Sequence, residues 1–97
     1  MKIPSNVTIA GIPYAVDVVT PKAAALSTKF AASIDYEGQT ITIGEQAPAS
    51  MEISFWHECI HGMMNALGLE DHDEKLVEGL AHQMYLFRKD NPDMLAN

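Results

Sequence analysis

Hydrophobic residues change period once along this chain, and that switch limits the folds open to it. Up to Ile43 they alternate: Val7 and Ile9, then Tyr14, Val16 and Val18, then Phe30, Ala32, Ile34 and Tyr36, then Ile41 and Ile43. Period two marks strands with one buried face. From Ile53 onward they recur at helical spacing. Trp56, Ile60, Met63 and Leu67 share one stripe with Cys59 and Met64 beside it, and Leu76, Val77, Leu80, Ala81, Met84 and Phe87 form a second. Strands followed by helices predict an α+β domain, here an antiparallel sheet of three to four strands followed by two helices.

Punctuation supports the division. Gly11-Ile12-Pro13 separates the first two strands, and Glu37-Gly38-Gln39 the second pair, with Gly38 able to take a positive φ. The Ala-rich stretch from Pro21 to Lys29 reads as a short helix. Gly44 to Ala49 reads as a loop, Ser50 as the N-cap of the first long helix, and Gly68 as its stop. The last helix spans roughly 72–90, opened by Asp71-His72-Asp73 and closed by Asn91-Pro92. At 97 residues the chain is expected to be one domain, 1–97.

Charge removes several function classes. Six Lys and Arg stand against 13 Asp and Glu, a net charge of −7. The few cations are scattered, which argues against nucleic-acid binding and against a polybasic membrane surface. No apolar run approaches the length of a membrane span, and Met1 to Asn6 lacks the pattern of a signal peptide. A single cysteine, Cys59, allows no internal disulfide. The expected location is the cytoplasm, or a host cytoplasm if the chain is phage-encoded.

The segment that carries chemistry is His57-Glu58-Cys59-Ile60-His61. Four residues apart on a helix, His57 and His61 stand about 40° apart around the axis and one turn apart along it. Two imidazoles so placed can share one metal ion. Glu58 lies beside them without joining them, the position of a general base in the H-E-x-x-H zinc peptidase signature. Cys59 falls about 160° from each histidine and is expected in the core. Two solvated histidines on a helix surface are the plain alternative.

A catalytic zinc site needs a third protein ligand. Met64 and Leu67 stand where the metzincin pattern requires glycine and histidine, so that class is excluded. A carboxylate from the last helix remains. Glu78, flanked by Leu76, Val77, Leu80 and Ala81, ranks first, with a solvated flank position as its plain reading. Glu74, one turn earlier, ranks second, while Asp71 and Asp73 read as caps. His82, one turn beyond Glu78, is either a carboxylate-orienting group or a helix histidine bonded to a carbonyl. His72 reads as a surface residue at the helix start, with a substitute ligand as the alternative. Tyr14, Tyr36, Tyr85, His72 and His82 are the chemical candidates for stabilising an oxyanion. The strand at 39–44, directly before the metal helix, is the expected partner for an extended peptide.

Ser54-Phe55-Trp56-His57-Glu58-Cys59-Ile60-His61 resembles the T-L-x-H-E-x-x-H core of ImmA/IrrE-type metallopeptidases, with Ser54 where threonine is usual. Glu78-Gly79-Leu80-Ala81-His82 resembles their downstream E-x-x-A-N segment, with His82 in place of asparagine. The likeness covers roughly residues 30–92, and the layout is similar to small phage-encoded proteins of this kind. It implies a small zincin-like fold of gluzincin type. Zn²⁺ would be held by His57, His61 and Glu78, with Glu58 as catalytic base and Ser54 and His82 near the ligands. It implies hydrolysis of a specific protein target, such as a helix-turn-helix repressor on a separate chain. The alternative is a catalytically weak or inactive scaffold acting as a binding or regulatory module.

Overall fold

The computed structural model describes residues 1–20 and 31–94. The helix expected over Pro21 to Lys29, and the inward position expected for Phe30, lie outside the described residues. Four strands come first: β1 (Asn6–Ile9), β2 (Ile12–Val19), β3 (Ala32–Asp35) and β4 (Thr40–Gly44). Two helices follow, α1 (Pro48–Ala66) and α2 (Glu74–Asp90). The architecture is α+β, as the change of period predicts. No described helix is long and apolar enough to cross a membrane.

The sheet is mixed rather than antiparallel. Its order is β1-β2-β4-β3. β1 pairs antiparallel with β2, and β3 with β4, but β2 and β4 run parallel, with Val16 opposite Ile41 and Val18 opposite Ile43. Alternation identifies strands and their faces but not their neighbours. A parallel pair needs a long crossover, and residues 20–39, including β3, lie between β2 and β4. β4 therefore sits inside the sheet, flanked on both sides, and cannot offer an edge to a peptide as expected of strand 39–44. Among the described residues β3 is an outer strand.

Both tight turns differ from expectation. Ala10 and Gly11, at φ 51° and 80°, make the first two-residue reversal, so Ile12 and Pro13 belong to β2. Pro13 pairs only with Thr8, because the β4 ladder begins at Ala15, so its missing N–H breaks no ladder bond there. In the second turn Gln39, not Gly38, takes the positive φ, at 51°. The Asp35 carboxylate accepts the Gly38 N–H at 3.1 Å and holds the loop.

α1 begins at Pro48, with Ala47 before it and no side-chain cap, so Ser50 is not the N-cap. Proline suits a first helical turn because its φ is preset and its missing N–H has no partner there. At the other end Gly68 takes φ 82° and donates to Asn65, while Leu69 N–H reaches Met64. This left-handed reversal ends the helix where expected. α2 is capped by Asp73, whose carboxylate accepts from Lys75 and Leu76 N–H.

Two apolar clusters hold the layers together. Ile9, Tyr14, Val16, Ile41 and Ile43 from the sheet pack on Phe55 and Cys59 of α1. Ile60 of α1 meets Val77 and Ala81 of α2, and Trp56 touches both clusters. Cys59 is in the core as expected, and burial pushes its thiol up to about 12. Gly62 lets α1 approach the sheet: a Cβ there would lie 2.9 Å from Ile9 Cδ1 and 3.3 Å from Ile34 Cδ1. The outer parts of both predicted stripes, Met63, Leu67, Leu76, Leu80 and Phe87, are exposed.

The helices run antiparallel. Near the start of α1, buried Glu52 accepts from Arg88 Nε at 2.6 Å and Nη2 at 2.7 Å, and from the Trp56 indole at 3.1 Å. Arg88 lies near the end of α2. This bidentate pair fixes the helices at one end. At the other end, the second half of α1 faces the first half of α2, and the candidate site lies there.

Candidate metal centre

His57 and His61 project from one face of α1 toward α2, with their Nε2 atoms 3.2 Å apart. The carboxylate that meets both is that of Glu74. Its Oε2 lies 3.2 Å from His57 Nε2 and its Oε1 lies 3.1 Å from His61 Nε2. These three residues offer ligand atoms that all lie within 4.8 Å of one another, a group that could hold a metal ion.

Glu78, which the sequence ranks first as third ligand, does not meet the Nε2 pair. Its Oε2 lies 2.9 Å from His57 Nδ1, on the far side of the ring from Glu74. Both glutamates face α1, one turn apart. The axial register of the two helices decides which meets the Nε2 pair, and that register is not contained in helical periodicity. Neighbouring Leu76 and Leu80 do not draw Glu78 inward, because they are themselves exposed. His82 binds back to Glu78, with Nδ1 2.9 Å from the backbone oxygen and 3.2 Å from Oε1. The bond to a carbonyl is the one expected of a helix histidine, and the same nitrogen also faces the Glu78 carboxylate.

The hydrogen-bond partners bear on the state of the rings. A carboxylate accepts and does not donate, and His57 faces one at each nitrogen, Glu78 at Nδ1 and Glu74 at Nε2; a metal held at Nε2 would leave the proton on Nδ1, toward Glu78. His72, from the loop between the helices, lies 2.7 Å from His61 Nδ1 and 2.8 Å from the Leu69 carbonyl through its other nitrogen. A carbonyl also only accepts. With both rings neutral, the His72 proton is on Nε2, its Nδ1 accepts, and His61 holds its own proton on Nδ1. In those tautomers the Nε2 atoms of His57 and His61 are free to bind a metal ion. Burial lowers the His61 pKa below its ordinary 6.5 against the pull of Glu74.

Such a convergence of two imidazoles and a carboxylate could hold a cation. The separations suit one. A tetrahedral ion with bonds of about 2.0–2.1 Å holds its ligand atoms about 3.3–3.4 Å apart. The two Nε2 atoms are 3.2 Å apart, and the Glu74 carboxylate straddles them, with Oε2 3.2 Å from His57 and Oε1 3.1 Å from His61.

Glu58 is buried at 7% exposure between this group and the sheet. Burial, reinforced by the charges of Glu74 and Glu78 and opposed by His57, pushes its carboxyl up to about 7. It borders a cleft of about 360 Å³ whose other wall is Ala32, Ser33 and Ile34 of β3. Tyr36 lines the same cleft, its hydroxyl donating to the His61 carbonyl at 3.4 Å. Tyr14 is buried in the core, and Tyr85 lies beneath Arg88 and Lys89. Ser54 lines a smaller recess on the other flank, with His57, Glu58 and Glu78, and its hydroxyl accepts from Gln46 at 3.4 Å.

His72 is the residue the sequence reading undervalued. As a loop residue it belongs to no periodic pattern, and its neighbours Asp71 and Asp73 marked only a helix start. No protein family, curated protein or solved structure matches the chain.

Proposed function

We propose that this chain is a zinc-dependent peptide hydrolase of the ImmA/IrrE-like kind, with His57, His61 and Glu74 as ligands and Glu58 as general base. The observation that carries the reading is the group of His57, His61 and Glu74, whose ligand atoms lie within 4.8 Å of one another, beside a buried carboxyl of raised pKa. Two imidazoles and one carboxylate suit zinc and leave a position open. A bound zinc ion would supply Lewis acidity toward a peptide carbonyl and lower the pKa of water.

The remaining steps belong to the protein. An extended peptide lies along the outer edge of β3, its main chain completing the strand's hydrogen bonds. Glu58 takes a proton from the attacking water and returns it to the leaving amine, for which a pKa near 7 is well matched. Tyr36 turns its hydroxyl from the His61 carbonyl to the substrate oxygen. Glu78 holds the His57 ring through Nδ1, and His82 holds Glu78. The resemblance extends the reading to a repressor-type protein as the target.

The test is cleavage of a peptide library by zinc-loaded protein, followed by mass spectrometry. Cleavage that disappears in Glu58→Gln, with zinc retained, supports the reading. Zinc retained by the wild type with no peptide cleaved would make the chain a metal-stabilised binding module.

A further inference from the structure

We infer that His72 is a positioning residue that fixes the His61 ring with its Nε2 lone pair toward the metal. The inference rests on the metal-centre reading and deepens it, because it identifies a third histidine the site requires without its being a ligand.

The geometry starts at Gly68. Its φ of 82° turns the chain back at the end of α1, so that residues 69–72 return beside the last turns of the helix. His72 then stacks on His61, with ring centroids 4.9 Å apart and planes at 21°. The ring is anchored at both nitrogens. One faces the Leu69 carbonyl at 2.8 Å and the other His61 Nδ1 at 2.7 Å. Leu69 O can only accept, so with both rings neutral the direction of each hydrogen bond follows. Leu69 O accepts from His72 Nε2–H, and His72 Nδ1 accepts from His61 Nδ1–H. The one nitrogen left bare is His61 Nε2, the atom 3.1 Å from Glu74 and 3.2 Å from His57 Nε2.

His57 has an outer partner of its own, with Nδ1 2.9 Å from Glu78 Oε2. The two metal-facing nitrogens thus have separate outer partners, a carboxylate for one and a carbonyl-anchored imidazole for the other. The second matters because His61 is the more enclosed ring, 9% exposed, and cannot turn toward solvent for a substitute acceptor. Without His72 the His61 ring has no fixed reason to keep its proton on Nδ1. A proton on Nε2 would face His57 and Glu74 and would have to leave before metal enters.

Two variants separate this role from packing. His72→Phe keeps a stacked ring and removes the acceptor. His72→Asn loses the ring but returns an acceptor oxygen close to the Nδ1 position. Two readouts are used on tag-free protein: the ring-nitrogen tautomer of His61 by long-range ¹H–¹⁵N NMR without metal, and zinc affinity by competition with a chelating dye. Expected are an Nδ1–H tautomer in wild type, a shift toward Nε2–H in His72→Phe, and zinc affinity lowered about tenfold to a hundredfold there. His72→Asn should recover most of the affinity. An Nε2–H tautomer of His61 in the wild type overturns the inference, as does His72→Phe with wild-type zinc affinity. Affinity falling equally in both variants also overturns it and leaves packing as the cause. Were the wild type to bind no zinc, the metal-centre reading would fail, and the tautomer measurement would still decide the role of His72.

Discussion

Replacing Gly62 by alanine sets two opposing effects against each other. Gly62 follows the ligand His61 on α1 and faces the sheet. A Cβ at that position would lie 2.9 Å from Ile9 Cδ1 and 3.3 Å from Ile34 Cδ1. Helix propensity favours alanine over glycine by about 1 kcal/mol. Overpacking a filled interface costs about 1–3 kcal/mol. The obstructing atoms are the ends of isoleucine side chains, which can give way in part, so about 2 kcal/mol is appropriate. The expected net loss is about 1 kcal/mol. Gly79→Ala is the control, since nothing lies within 4 Å of a Cβ there. It gains propensity alone and should stabilise by about 0.5–1 kcal/mol. The two variants should therefore differ in sign and by roughly 2 kcal/mol. Urea unfolding of chelator-treated protein, followed by the fluorescence of Trp56, the single tryptophan, measures both. Equal stabilisation by the two substitutions would refute the close approach of α1 to the sheet.

Three other outcomes are expected. Glu78→Gln should weaken zinc binding about tenfold, as loss of an outer partner does, and Glu74→Gln should weaken it more; dye competition in the reverse order would exchange their roles. Saturating zinc should raise the melting temperature, by about 2.7 kcal/mol of stability at one hundred times the dissociation constant, and an unchanged melt with binding confirmed would contradict a site confined to the folded state. Burial alone would raise Glu52, but hydrogen bonds from Arg88 and Trp56, with the Arg88 charge, outweigh it and hold the carboxyl below 4.5. Its contribution to stability is thus complete above pH 4.5 and lost as pH falls below; melting curves of Glu52→Gln should lack this acid-dependent part.

The legible features were local ones. The spacing of His57 and His61, the inward position of Cys59 and the stop at Gly68 follow from helix geometry and glycine stereochemistry, and all are found. Features set by how elements meet were harder to read. Alternation could not reveal that β4 inserts between β2 and β3. The choice between Glu74 and Glu78 depends on how far α2 slides along α1, which the Glu52–Arg88 pair at the opposite end helps to fix. The apolar residues of α2 are spread too widely around the helix to face one partner. Val77 and Ala81 are buried, while Leu76, Leu80 and Phe87 remain exposed. His72 owes its place to the reversal at Gly68, and a loop conformation leaves no periodic trace.

Anomalous diffraction at the zinc edge, from crystals of tag-free protein grown with zinc, tests the metal centre most directly. One peak per chain is expected, bounded by His57 Nε2, His61 Nε2 and the Glu74 carboxylate, with Glu78 and His72 on the outer nitrogens of the two rings. No peak there, or a peak held by Glu78 in place of Glu74, would contradict the proposed ligand set.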